Sequence, residues 1–136
     1  MGTVYEEITL KNAWDVGNVK RGLGKEPEIR QTTVQAVVDT GAGTVIINEV
    51  IRKELGLIIE RLDTATLANG EKVICKITDP VDIHWKERSM TCRAWVLPGT
   101  EEVLLGAIAL EDMDLIVDPK NRKLIGAHGD QILMRI

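Results

Sequence analysis

Apolar and polar residues alternate with a period of two along much of the chain, a pattern typical of β-strands with one buried face. In the first such run, residues 4–10, Ile8 and Leu10 lie on one face and Glu7 and Thr9 on the other. Further extended runs, bounded by Gly, Pro or Asn, predict strands at 29–38, 45–47, 64–67, 72–74, 81–85, 91–97, 115–117 and 123–125. The pattern therefore predicts a molecule built mainly from short strands.

Two segments suit short helices instead. Asn48 is placed to cap the first, which continues through Ile51 and Leu55, spaced by four residues, and ends at Gly56. Residues 107–112 suit the second. Residues 12–27 break both periodicities with several glycines, so we expect a long loop there that could cover a site or simply connect strands.

Composition supports a sheet protein of modest size. At 136 residues the chain is large enough to bury a core, and we expect one domain over residues 1–136. It contains no Phe and one Tyr, so its core must be aliphatic and largely β-branched. These features predict an all-β fold.

Charge and segment lengths limit the classes of partner. A net charge of -4 without a long basic run argues against nucleic acid or an anionic membrane as the main partner. The N-terminus lacks signal-peptide features, and the apolar run at 103–110 is too short to cross a bilayer. We therefore expect a cytoplasmic protein, in which Cys75 and Cys92 are more readily explained as reduced, buried thiols than as a disulfide.

One carboxylate stands between two runs of β-forming residues. Asp39 follows Ala36-Val37-Val38 and precedes Thr40-Gly41-Ala42-Gly43, which predicts a strand, a tight turn and a second strand. Glycines in the turn allow backbone amides to approach the Asp39 oxygens closely, and a partly buried carboxylate requires such hydrogen bonds.

The residues 38–42, Val-Asp-Thr-Gly-Ala, resemble the active-site turn of the retroviral-type aspartic proteases. In that family an apolar-apolar-Gly triplet downstream braces the catalytic turn, and here Leu104, Leu105 and Gly106 stand in the right order. The resemblance implies a retropepsin-like closed barrel of a single lobe with one or two short helices. It also implies that Asp39 is catalytic.

Aspartic proteases need two carboxyl groups in different protonation states, and this chain supplies a single Asp-Thr-Gly. The sequence therefore predicts an aspartic endopeptidase, cleaving a peptide or protein substrate, that works as a homodimer with Asp39 from each copy. By the same resemblance, Thr40 would hydrogen-bond across the dimer and Gly41 would place backbone near substrate. Ala42 matches the retroviral variant of the turn. A protease-like dimerisation or peptide-binding module remains the alternative, as does an unrelated small β-barrel.

A hairpin lies downstream of the catalytic turn. Asn69-Gly70 between two extended runs is a strong hairpin signal. By position its tip, formed by Leu67, Ala68, Asn69, Gly70 and Glu71, resembles the flap that closes over substrate in this family. An ordinary surface hairpin is the other interpretation.

Other chemical patterns in the sequence are weak. Asp63-Thr64-Ala65 imitates the catalytic turn but has Ala where Gly permits the tight turn, so Asp63 is interpreted as a hairpin flank. The residues His84 and His128 lack the spacing of zinc ligands, even together with the two cysteines. We expect neither a metal nor a cofactor.

Overall fold

A computed structural model describes residues 2–133 and 136. Within these residues it contains nine strands and three α-helices. The strands are β1 (Val4–Asn12), β2 (Gln31–Val38), β3 (Ile46–Ile47), β4 (Ile59–Thr66), β5 (Lys72–Trp85), β6 (Arg88–Val96), β7 (Leu104–Leu105), β8 (Leu115–Asp118) and β9 (Lys123–Gly126). The helices are α1 (Ala13–Lys20), α2 (Glu49–Glu54) and α3 (Ala107–Asp112).

Seven strands form one sheet that closes on itself. Its order is β1-β2-β7-β3-β6-β5-β4, and β1 also pairs with β5, so the first six strands form a ring and β4 lies outside it. The remaining two strands, β8 and β9, form a separate antiparallel hairpin. This closed all-β arrangement confirms the predicted fold class. The described residues hold three short helices rather than one or two.

The ring encloses an aliphatic core. Alternate residues of β1 point inward, as the sequence pattern predicted. Core side chains that are at most 1% exposed include Ile8, Leu10, Val45, Ile47, Ile77, Val81, Ile83 and Leu105. Because burying each such side chain contributes about 1.5–3 kcal/mol, this β-branched interior is the main source of stability.

The expected loop at residues 12–27 is wrong for its first half, which forms α1. Asn12 caps this helix, because its side-chain oxygen accepts a hydrogen bond from the Asp15 amide at 3.1 Å. Its side-chain amide also donates to the Leu55 carbonyl at 2.9 Å. No residue of α1 is fully buried, so the helix carries no apolar stripe that a periodicity could reveal.

The hairpin joining β5 to β6 is tighter than the sequence predicted. The sequence predicts strands at 81–85 and 91–97 joined by the charged residues 86–89, but Trp85 pairs directly with Arg88 and only two residues turn the chain. Arg88 is buried and donates to the carbonyls of Met113 at 2.8 Å and Asp114 at 2.7 Å. These contacts hold Arg88 in the sheet.

Other local predictions match the structure. Asn48 caps α2 by accepting from the Ile51 amide at 2.9 Å, and Gly56 follows its end with a φ of 63°. Both cysteines are free thiols; Cys75 is buried as expected, whereas Cys92 is only partly buried. No helix in the described part of the chain is long and apolar enough to span a membrane. The apolar composition of residues 131–136 predicts that this C-terminal segment packs on a partner or on the body of the protein. Met134 and Arg135 lie outside the described residues, and Ile132, Leu133 and Ile136 are exposed.

Candidate active site

Asp39 lies immediately after β2, where that strand runs parallel to β7. Val37 and Val38 pair with Leu104 and Leu105, and the Asp39 amide donates to the Leu105 carbonyl at 3.0 Å. The strand β7 also pairs with β3 on its other side, so it is inserted between the strands that enter and leave the turn. The position of β7 between β2 and β3 therefore fixes the position of the Asp39 carboxylate.

The turn holds one carboxylate oxygen in place. The Gly41 amide donates to Asp39 Oδ1 at 2.9 Å, and the Ala42 amide donates to the Asp39 carbonyl at 3.1 Å. Asp39 is half-buried, whereas Thr40 and Gly41 are exposed. The carboxylate is therefore oriented by backbone yet reachable from solvent.

Gly106 packs directly against the turn from below. A Cβ atom at Gly106 would lie 2.2 Å from the Thr44 carbonyl oxygen and 2.6 Å from that of Ala42. The first two amides of α3 then donate to the same loop, Ala107 to the Ala42 carbonyl at 2.8 Å and Ile108 to that of Gly43 at 3.1 Å. The triplet Leu104, Leu105 and Gly106 thus lies against the Asp39 turn through a contact that excludes any larger residue at its last position.

A surface pocket of ≈ 310 Å³ opens beside the Asp39 side chain. Its lining comprises Gly2, Thr3, Val4, Val37, Val38, Asp39, Thr40 and Val117. Among the residues that the structure describes, Asp39 is the only ionisable side chain in that lining. The sequence reasoning missed the contribution of Gly2 and Thr3, although the pairing of β1 with β2, which sets Val4 opposite Val38, places them beside the turn.

The predicted flap residues form the turn between β4 and β5. The Leu67 amide donates to the Glu71 carbonyl at 2.7 Å, the Asn69 side chain accepts from the Glu71 amide at 2.9 Å, and Gly70 has a φ of 88°. Residues 67–71 do not line the Asp39 pocket. The hairpin exists as the sequence predicted, and its role as a flap stays a prediction.

The other chemical patterns in the sequence do not form a second site. Asp63 lies within β4, where its side chain accepts from the neighbouring Thr64 amide at 2.8 Å. His128 pairs with Asp114 at 2.7 Å. His84 lies on β5, where burial lowers the pKa of its imidazole. Across the residues that the structure describes, no group of three or more His, Cys, Asp or Glu side chains could hold a metal ion.

The thiols are poorly suited to nucleophilic chemistry. Burial raises the pKa of the Cys92 thiol to about 11, with a further contribution from the Asp112 carboxylate. Burial also raises the pKa of Cys75. Both cysteines therefore stay protonated near neutral pH, and the chemistry of the Asp39 pocket depends on its carboxylate.

Comparison with known proteins gives two matches that agree. Residues 26–112 match the family described as "gag-polyprotein putative aspartyl protease". Among solved structures, the retroviral protease-like domain of Ddi1 from Leishmania major covers 97% of this chain and 91% of its own, with a TM-score of 0.58 and 16% sequence identity. That likeness shows a shared fold. No curated protein matches the chain.

Proposed function

We propose that this chain, which belongs to the gag-polyprotein aspartyl protease family, is an aspartic endopeptidase that acts as a twofold homodimer. Its substrate would be an extended segment of a peptide or protein. Asp39 of each copy would supply one carboxyl group of the catalytic pair.

One observation carries the proposal: the Asp39 pocket contains a single carboxylate. Hydrolysis by an activated water needs an ionised carboxylate that takes the proton of the water. It also needs a protonated carboxyl that polarises the peptide carbonyl. Two carboxylates placed close together share one proton, because their repulsion opposes a second ionisation, as in other aspartic proteases. A second copy of Asp39 would complete that pair.

The turn geometry supports a role for its neighbours. The Gly41 amide orients one oxygen of Asp39, which leaves the other free to face water or its counterpart. Thr40 is exposed beside it, where its hydroxyl could donate to the same turn of the second copy. Leu104, Leu105 and Gly106 would keep the two turns rigid, and residues 67–71 would close over the substrate.

The free thiols support a proposal about the cellular setting. Cys75 and Cys92 are both free in the structure, and free thiols persist in a reducing compartment. We therefore propose that the enzyme acts in the cytoplasm.

The first test replaces the proposed catalytic group. Asp39→Asn keeps the size of the side chain and its acceptor for the Gly41 amide but removes the ionisable group. We expect hydrolysis of an unfolded casein-like substrate at mildly acidic pH to fall by at least about a thousandfold. Sedimentation should show that wild type and Asp39→Asn both remain dimers.

Two results would overturn the assignment. If Asp39→Asn cleaves as fast as wild type, Asp39 is not catalytic. If neither protein cleaves any substrate while both bind unfolded peptides with equal affinity, the chain is a peptide-binding module with a protease fold. A matched control is Asp63→Asn, because Asp63 is exposed in β4 and should be dispensable for cleavage.

A further inference from the structure

A second pocket, of ≈ 340 Å³, lies where α1, β4 and β5 meet. Its wall is formed chiefly by Trp14, Arg30, Ile58, Glu60 and Asp79. It shares no lining residue with the Asp39 pocket. We call it the Trp14 pocket, and nothing in the proposed peptidase mechanism uses it.

Two of its three charged side chains are already paired with an opposite charge. Arg30 binds Asp15 through two nitrogens, Nε to Oδ2 at 2.8 Å and Nη2 to Oδ1 at 2.9 Å. Glu60 forms an ion pair with Arg93. These pairs leave Asp79 as the one charge of the pocket without a close partner among the described residues.

Asp79 is held in an unusual state for a carboxylate. It is only 4% exposed, and its Oδ1 accepts a hydrogen bond from the Ile58 amide at 3.0 Å. Burial raises the pKa of this carboxyl and the Glu60 carboxylate raises it further, while the Ile58 amide and the Arg30 charge offset only part of this. A cation arriving in the pocket would supply the missing counter-charge.

The remaining wall suits the apolar part of a cationic side chain. Trp14 is 63% exposed and Ile58 is 67% exposed, although both are large and apolar. The face of an indole ring attracts a guanidinium or ammonium group, and the methylene stem of such a side chain covers apolar surface. An exposed tryptophan and a buried carboxylate without an ion-pair partner in one pocket are therefore suited to binding a cation.

The edge of the sheet favours a peptide as the source of that cation. Glu60 belongs to β4, which is the last strand of the sheet and has no neighbour on its outer side among the described residues. Such an edge offers unpaired backbone groups to an extended segment. A free amino acid would gain nothing from it.

We propose that the Trp14 pocket binds an arginine side chain presented by an extended segment of a partner protein. The guanidinium group lies against Asp79 and over Trp14, and the stem contacts Ile58. Arginine fits better than lysine because its planar group stacks on an aromatic ring as well as donating to a carboxylate.

The test uses a short blocked peptide with one central arginine, and an otherwise identical peptide with citrulline, which has nearly the same shape without the charge. Calorimetric titration should show binding of the arginine peptide that is at least about tenfold tighter than that of the citrulline peptide. Asp79→Asn and Trp14→Ala should each weaken binding of the arginine peptide by about tenfold. Asp63→Asn should not weaken it, because Asp63 is an exposed carboxylate of the neighbouring strand β4 and does not line the pocket.

The outcomes separate this site from the peptidase. Binding should be unchanged in Asp39→Asn, so a loss of binding there would place the peptide in the catalytic cleft and overturn the proposal. The proposal would also be overturned if the arginine and citrulline peptides bound with equal affinity. The same holds if Asp79→Asn and Trp14→Ala, once shown to be folded, both bound the arginine peptide as tightly as wild type. If blocked free arginine binds as tightly as the peptide, the extended segment contributes nothing and that part of the proposal is wrong.

Discussion

At the scale of single residues, the surroundings of each carboxyl group decide what it can do. Asp39 has one oxygen bound by the Gly41 amide and the other side open to solvent. Asp79 is buried, and Arg30, the cation whose charge lowers its pKa, is already bound to Asp15. The surroundings of Asp39 keep its carboxylate available for chemistry. Those of Asp79 leave a buried charge that lowers the stability of the fold.

The effect of the Asp79 charge on the free energy of unfolding can be measured with Asp79→Asn. The pKa of Asp79 is raised in the folded state, so the folded protein holds this proton more tightly than the unfolded chain. Stability attributable to Asp79 therefore falls as pH rises from its unfolded pKa through its folded pKa. Asn keeps the acceptor for the Ile58 amide without the charge, and we expect it to increase the free energy of unfolding at neutral pH while changing little at acid pH.

Urea denaturation of wild type and Asp79→Asn across acid to neutral pH checks this expectation. The exposed Asp63→Asn serves as the control, because its stability profile should follow that of wild type. If Asp79→Asn instead loses stability at neutral pH, the ionised Asp79 stabilises the fold, and nearby charges and dipoles compensate its charge more than the described contacts indicate.

At the scale of elements, the Asp39 turn depends on close packing between two backbone segments. A Cβ at Gly106 would meet backbone oxygens of Thr44 and Ala42, which cannot rotate away as a side chain would. We expect Gly106→Ala to lower the free energy of unfolding by about 2 kcal/mol or more. The control is Gly43→Ala in the same loop, because nothing lies within 4 Å of a Cβ there.

Thermal and urea unfolding of the two glycine variants should separate these positions. Gly43→Ala should change the free energy of unfolding by less than about 1 kcal/mol. A larger loss in Gly106→Ala would then reflect the clash at Gly106 and not a general sensitivity of the loop to substitution. If Gly106→Ala is as stable as wild type, the α3 backbone can move away from the turn and the triplet does not brace it.

The elements also show which parts of the fold the sequence could predict. Strand periodicity, the Asn48 cap and the Asn69-Gly70 turn are local signals, and the structure matches them. The helix α1 was missed because it is held by the Asn12 cap and by the pairing of Asp15 with the distant Arg30, rather than by an apolar stripe. The Trp14 pocket was missed for a similar reason, since it joins three elements that only the folded chain brings together.

At the scale of the whole molecule, closure of the ring fixes the strands that surround the Asp39 site. Six strands pair without a free edge, and β7 is locked between β2 and β3 beneath Asp39. The sequence identified the turn and the triplet because the resemblance to retroviral-type proteases rests on them. It could not predict whether two such molecules meet at Asp39, because that contact lies between chains.

The contact between chains leads to a prediction about mixed proteins. If both Asp39 carboxylates are needed, a dimer that contains one Asp39→Asn chain is inactive. At concentrations well above the dimer dissociation constant, random exchange of equal amounts of wild type and Asp39→Asn leaves about half of the wild-type chains with a wild-type partner. The hydrolysis rate per wild-type chain should therefore fall to about half of its unmixed value.

Mass-labelled subunits followed by native mass spectrometry would confirm that exchange is complete. Mixing wild type with Asp63→Asn is the matched control and should leave the rate per chain unchanged. The rate per chain should also fall on dilution, because separate chains each hold a single carboxylate in the Asp39 pocket. If exchange is complete and the rate per wild-type chain does not change on mixing with Asp39→Asn, one Asp39 suffices and the shared catalytic pair must be abandoned.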